Sequence, residues 1–292
     1  MKEYLKSFFS DFGYNANDAD FLLDSYGRIT ADAEAAELFD RAVKTYGSSF
    51  RCDFDALLGL ARSAGSRVGL CSYTSELLAF ACISEKARKY YEDLGYSEEM
   101  YRDSMLDLKY KNEECRLIKG VPGTFVAPWC AMFFKMKLFG FGRLQFEVIH
   151  FGDYYEKNGR SLRPFSNVIN THIPRSGAPL LPDLCDEAFG RALEFFRADL
   201  GEDPAAVCHS WLLYPQLRGM LKPGSNLLSF MDRFDVYASA ADTTFNSLWR
   251  LFDTDEKDPD KLPADSSLRR AFIAHLKRGG MPGWGKGVFF FD

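Results

Sequence analysis

The stretch from Asn167 to Phe196, NVINTHIPRSGAPLLPDLCDEAFGRALEFF, is where the chain turns from one texture to another. A strand-like run ends at Ile173-Pro174, where proline removes a main-chain donor and helps to stop regular pairing. Arg175, Ser176, Gly177, Ala178 and Pro179 form a short loop, and apolar residues then recur at helical spacing from Asp183 to Leu200. A helix N-terminus carries unpaired N–H groups and about half a positive charge, so it suits an anionic group, and glycine lets a ligand approach the backbone closely. The loop from 173 to 183 is therefore a candidate anion site.

Upstream, Arg143 to Ile149 alternates polar and apolar residues, Lys157 to Arg160 offers an Asn-Gly turn, and Leu162 to Pro174 is a second extended run. Period two puts Gln145 and Glu147 on one face of the first strand, and Asn170 and His172 on one face of its partner. Downstream come a strand through VCHSWLLY, a short helix in SNLLSFMDRF, a strand in FDVYASA, the helix SSLRRAFIAHLKRGG and a last strand in KGVFFFD. This mixed order is not the regular βαβ repeat of a dinucleotide fold.

Before Gly120-Val121-Pro122-Gly123 the texture is helical. Asn17 and Thr30 are plausible N-caps of two segments that stop at glycine, and three further helical segments follow, each ended by glycine. The charged residues there, such as Glu113-Glu114 and Lys109 to Lys111, read as solvated helix faces.

Charge and composition exclude several classes. The 292 residues are 47% hydrophobic and 26% charged, the balance of a folded protein. The net charge of -5 lies wholly in residues 1 to 120, and no basic stripe exists to neutralise a phosphate backbone, so nucleic acid is not an expected partner. Val126 to Gly142 is interrupted by Lys135 and Lys137, and the first residues lack a signal-peptide pattern, so no membrane association and a cytoplasmic location are expected. Seven cysteines form no CxxC and no metal-ligand spacing, which points to reduced, buried thiols and to no metal. GFGRLQF precedes a strand where a dinucleotide fingerprint follows one, WGKG lacks a P-loop hydroxyl, and DTDEKDPD from 253 lacks the glycine of a calcium loop and reads as solvated. Cys208-His209-Ser210 cannot be a local dyad on a strand, and His209 reads as a packed residue.

The segments GRLQFE, NTHIPRSGAPL, CHSWLLYPQL, SNLLSFMDRFDVY and LRRAFIAHLKRGG together resemble the bacterial acyltransferase-domain proteins that join a helical N-terminal domain to a GNAT-like C-terminal domain. The resemblance covers essentially the whole chain. It implies acyl-CoA (acetyl-CoA or longer) as co-substrate, held where two central strands splay apart, with the pyrophosphate at the loop and helix after the fourth strand. On that basis Ile173, Pro174, Arg175, Ser176, Gly177 and Asn226 are the expected cofactor contacts. The sequence departs from the usual pattern twice. RSGAPLLP does not fit the usual phosphate loop, and position 233 is Arg where a tyrosine general acid often follows an Asn such as Asn226 by seven residues.

Amine acylation needs a base, donors for the tetrahedral oxyanion and an acid for the thiolate. Glu147 is the first candidate base and His172 the alternative; Ser210 and Tyr214 are candidate acids. Gln145, Asn170 and Trp211 are candidate substrate contacts. The expected fold is α+β: an all-helical N-terminal domain over 1–126, then a GNAT-like mixed α/β domain over 127–292 with a central, mostly antiparallel sheet. The expected function is a GNAT-type N-acyltransferase moving an acyl group from acyl-CoA to the amine of a small molecule or peptide. The alternative is a non-catalytic acyl-CoA or metabolite-binding protein that retains the fold. Assembly as a homo-oligomer is left open.

Overall fold

The structure is a computed structural model and describes residues 1–291. The chain divides into two compact units, Met1–Gly140 and Phe141–Asp292. The first holds helices α1 (Lys2–Asp11), α2 (Ala16–Ala31), α3 (Ala33–Ser48), α4 (Phe54–Arg67), α5 (Ser72–Asp93), α6 (Glu98–Lys119) and α7 (Ala127–Phe134). Helix α5 is buried along most of its length, with Leu77, Leu78, Phe80 and Ile83 in the core. It packs against α3, α4, α6 and α7.

Several helix boundaries differ from the sequence reading. Gly27 does not stop α2, because Ile29 continues the buried stripe of Leu22 and Ser25 through another turn. Thr30 is not a cap: its hydroxyl donates to the Tyr26 carbonyl 3.1 Å away, inside the helix. Asn15 caps α2 instead of Asn17, and Asp32 caps α3, each accepting from the N–H three residues on at 2.9 Å. Gly120 does end α6, in the left-handed conformation with φ of 72°.

In the second unit the order is β2 (Leu144–His150), β3 (Tyr155–Lys157), β4 (Arg160–Leu162), β5 (Asn167–His172), α8 (Pro182–Phe196), β6 (Ala205–Ser210), α9 (Asn226–Asp232), β7 (Asp235–Ala241), α10 (Trp249–Phe252), α11 (Ser267–Lys277) and β8 (Gly283–Phe290). With β1 (Phe139–Phe141), which lies across the division, the sheet order is β1-β2-β5-β6-β8-β7. Strands β2 and β5, β6 and β8, and β7 and β8 pair antiparallel, while β5 and β6 are parallel. The fold is therefore the helical region plus mixed α/β domain expected.

The turn at Asn158-Gly159 joins β3 to β4 in a separate two-stranded ribbon, not the two long strands. Both turn residues have positive φ, 53° and 79°, as a tight hairpin requires. The extended run from Leu162 breaks after that residue, and only Asn167 to His172 pairs with β2. The ribbon covers one end of one sheet face, where Tyr155 and Leu162 pack with Val168, Val207 and Val288. The opposite face is covered by α8, whose buried Phe189 ring lies 5.2 Å from Phe146 and 5.3 Å from Phe289. The helix ends at Phe196 and not at Leu200; residues 197–199 tighten into a 3-10 turn.

Among the described residues all seven cysteines are free thiols, but Cys71 is exposed and Cys52 half-buried, so the expectation of buried thiols fails at those two. No helix among the described residues is long and apolar enough to cross a membrane.

Candidate active site

The antiparallel register of β2 and β5 places Glu147 directly opposite Asn170 and Gln145 opposite His172, so all four side chains share one sheet face. His172 Nε2 lies 2.9 Å from Glu147 Oε1. A carboxylate only accepts, so Nε2–H donates to it and the basic lone pair is left on Nδ1. The Asn170 amide donates to the same Glu147 oxygen at 3.1 Å and stands 3.1 Å from His172 Nε2. The Glu147 and His172 side chains are 16% and 23% exposed, so the pair is mostly out of water yet reachable. Gln145 is buried, at 2%.

Beside this cluster the β5–β6 ladder is short. It pairs Ile169 with Ala206 and Asn170 with Val207, although β5 runs on to His172 and β6 to Ser210. Past Asn170 the two strands are no longer paired, and His172 stands two residues beyond that last pair. Continuing the parallel register puts His209 on the same face as His172. The His209 ring lies 4.5 Å from that of Trp284, and burial together with the Lys286 ammonium lowers its pKa below the ordinary histidine value. His209 is exposed overall, so the expectation of a packed residue holds only for its contact with Trp284.

The loop after β5 is braced from outside. Arg143, just before β2, donates to the carbonyls of Pro174 and Pro179, each at 3.2 Å. Ser176 N–H bonds the Pro174 carbonyl at 2.9 Å, and the Ser176 hydroxyl accepts from Ala178 N–H at 3.3 Å. Gly177 has φ of 76°, a conformation that a side chain would strain. Ile173 is half-buried and Pro174 buried. Arg175 makes a two-pronged bond to Asp253, at 2.9 and 2.8 Å, and Arg269 reaches the same carboxylate at 2.6 Å. The loop from 253 is thus not simply solvated, since the Asp253 side chain is 20% exposed and accepts from two guanidinium groups. Helix α8 begins at Pro182, and its cap residue Leu181 supplies no side-chain bond to the first turn.

The remaining sequence candidates lie on the next elements. The Ser210 hydroxyl accepts from Leu212 N–H at 3.2 Å, which turns β6 into the 3-10 turn Trp211–Leu213. Trp211 is half-buried in that turn. The buried Tyr214 ring packs on β8 at Gly283, where a Cβ would come within 2.4 Å of it. Asn226 opens α9 behind the Ser225 cap. Arg233 ends α9 and turns to the start of α8, donating to the Pro182 carbonyl at 2.9 Å and to the Asp186 carboxylate. Of the expected residues, Glu147, Asn170 and His172 are joined by hydrogen bonds. Arg143 and Asp253, which shape the loop, carried no signal in the sequence, because both act across long separations in the chain. Among the described residues no group of three or more His, Cys, Asp or Glu side chains could hold a metal ion.

Comparison with known proteins gives the family and the fold. A family model described as an N-acyltransferase N-terminal domain matches residues 3–136, and one described as a GNAT-like C-terminal domain matches residues 138–289. The chain belongs to the GNAT-like C-terminal domain family and carries the N-acyltransferase N-terminal domain ahead of it. Solved structures share the fold. An acyltransferase in complex with decanoyl-CoA and teicoplanin superposes with a TM-score of 0.72 and 24% identity, covering 97% of this chain and 86% of the other. An acyltransferase mutant in complex with octanoyl-CoA gives 0.74 and 23%, covering 99% and 88%. An acyltransferase in complex with CoA and 10C-Teicoplanin gives 0.68 and 22%, covering 99% of both chains. No curated protein matches.

Proposed function

We propose that the chain is an N-acyltransferase that takes an acyl group from an acyl-CoA and delivers it to an amine of a small molecule or peptide. The observation that carries this reading is the Glu147–His172 pair at the point where the β5–β6 ladder stops. The thioester would lie in the opening, with the loop 173–181 and the start of α8 toward its phosphates. The structural neighbours were solved with decanoyl-CoA, octanoyl-CoA or CoA, and two of them with teicoplanin or 10C-Teicoplanin, which supports both the co-substrate and the class of acceptor.

His172 takes a proton from the ammonium form of the acceptor, the neutral nitrogen attacks the thioester carbonyl carbon, and the second proton it sheds balances the one the thiolate gains; Glu147 holds the imidazole in place and stabilises its charged form. This shifts the first role from Glu147 to the pair. When the tetrahedral intermediate collapses the C–S bond breaks and the thiolate leaves with a proton. Tyr214 and Ser210 are the groups proposed to supply it; the Ser210 oxygen accepts from Leu212, which leaves its O–H to donate. Trp211 and Gln145 are proposed to bound the substrate space. A cytoplasmic location is part of the same proposal.

One observation favours the rival reading of an acyl-CoA-binding protein without transfer: Arg233 occupies the place of a tyrosine acid and is engaged with α8. Titrating the protein with acetyl-, octanoyl- and decanoyl-CoA, then following free thiol release with pooled amines, separates the two. Binding with amine-dependent thiol release supports transfer. Binding without release under any amine supports the rival, and no binding of any CoA species sinks both.

A further inference from the structure

His209 stands on β6 where one edge of the strand is held and the other is free. The β6–β8 ladder sets His209 against Lys286 and runs on to Ser210 opposite Gly285, while pairing with β5 ends at Val207. Val168 and Val207 pack in one apolar cluster with the ribbon, so the even positions of β5 and the odd positions of β6 share that sheet face. Asn170 and His172 continue the first row, and His209 continues the second. Paired strands lie about 4.7–4.9 Å apart, and past the last pair the ladder no longer sets the gap. The two imidazoles therefore flank it from opposite sides.

The two rings are held differently. His172 Nε2 is engaged with Glu147, whereas among the described residues neither nitrogen of His209 has a hydrogen-bond partner. An edge contact with Trp284 fixes the His209 ring, with 4.5 Å between centroids and 75° between planes. Lys286 on β8 is the charge beside it, its ammonium bound to Asp153 at 3.0 Å, and Tyr237 on β7 donates to the same carboxylate at 2.8 Å. Across the gap stand His172 on β5 and Glu147 on β2. Burial and Lys286 keep the His209 ring neutral at pH 7, with a free basic lone pair.

Transfer to a protonated amine sheds two protons, and His172 takes one. Resting on the acyl-transfer reading above, we propose that His209 is a second catalytic base: it takes the extra proton that the nitrogen still carries once its bond to the acyl carbon has formed. That N–H bond breaks and a new one forms on the His209 ring. The C–S bond breaks, and the sulfur gains its proton from the donor hydroxyl. The imidazolium then returns its proton to that donor and His172 releases its own to water, so an amide, a free thiol and one proton leave. A second base is needed because His172 is already charged at that moment, and Lys286 makes the His209 imidazolium give its proton up readily.

The test is steady-state transfer from octanoyl-CoA to a primary amine that supports thiol release, with wild type, His209→Ala and His209→Gln, in buffers of increasing imidazole, alongside CoA titrations. His209→Ala should lower kcat by about 10²-fold with CoA affinity unchanged, and His209→Gln should be as slow. Added imidazole should speed His209→Ala and leave wild type alone, and substituted imidazoles should rescue in the order of their basicity, which a packing defect does not produce. Wild-type turnover in His209→Ala removes the residue and leaves the transfer reading standing. A slow His209→Ala that imidazole does not restore, or a His209→Gln that turns over normally, makes His209 a packing or hydrogen-bonding residue and overturns the inference. Failure of wild type to release thiol with any amine overturns the transfer reading and the inference with it.

Discussion

Two polar clusters stand next to each other in the chain, one at the end of β5 and one in the loop after it, and they are built on different principles. Glu147, Asn170 and His172 are held by a strand register of six consecutive pairs, so their mutual positions follow from the backbone. Arg175, Asp253 and Arg269 come from a loop, a left-handed residue after a short helix, and a helix, and side-chain bonds bring them together, with Arg269 also donating to the Leu251 carbonyl at 2.8 Å. The first cluster presents groups that can exchange protons. The second is three charges bound to one another, which suits holding a shape. A group on a paired strand keeps its geometry when its neighbour changes, whereas the loop cluster should reorganise as a unit.

Breaking the strand cluster should have the largest effect on rate. His172→Ala is expected to lower turnover by about 10³-fold and Glu147→Gln by about 10²-fold, with CoA affinity nearly unchanged in both. Because the two act as a pair, the double variant should be scarcely slower than His172→Ala alone, which steady-state kinetics on the cycle will measure. A fully multiplicative loss would separate the two residues.

The loop cluster gives smaller effects of a different kind. Arg175→Ala is expected to weaken CoA by about 1–3 kcal/mol, if the guanidinium exchanges Asp253 for a phosphate when ligand arrives. Asp253→Ala leaves Arg175 and Arg269 facing each other and should lower stability in urea by about 1–3 kcal/mol, with turnover of the folded protein changed only a few-fold. Titration calorimetry that finds Arg175→Ala at wild-type affinity would assign the residue to the loop's shape alone.

The smallest expected effect lies at Asp242, just after β7. Burial alone would raise its pKa, but hydrogen bonds from the Ser247 and Thr244 hydroxyls, both at 2.6 Å, and from their N–H groups pull it down to about 2. A folded value below the unfolded one, about 3.9, means the contribution is present above pH 4 and is lost as pH falls toward 2. Asp242→Asn should therefore flatten that part of the acid-unfolding curve and leave the rest in place. An unchanged curve would show that Asp242 does not govern it.

The same contrast explains what the sequence disclosed. Period two put Gln145 with Glu147 and Asn170 with His172, and the cross-strand contact needed only the pairing of β2 with β5. The Asn-Gly turn was visible as a turn but was assigned to the wrong pair of strands, because a hairpin signal says nothing of which ribbon it closes. Glycine suggested a stop at Gly27, where burial of Ile29 kept the helix going. Asp253 looked like one acid in a charged loop, since its two arginines lie 78 positions before it and 16 after. The early end of the β5–β6 ladder has no local signature beyond Pro174.

The pH dependence of the acyl-transfer rate, recorded for wild type and Glu147→Gln with one acyl-CoA and one amine, tests the role of the strand cluster most directly. If the pair removes the amine proton, the deficit of the variant should shrink as pH rises, because more of the amine is neutral without help, and the two profiles should converge above the pKa of the acceptor. Profiles that run parallel across the whole range would contradict it, and proton removal would then have to lie outside Glu147.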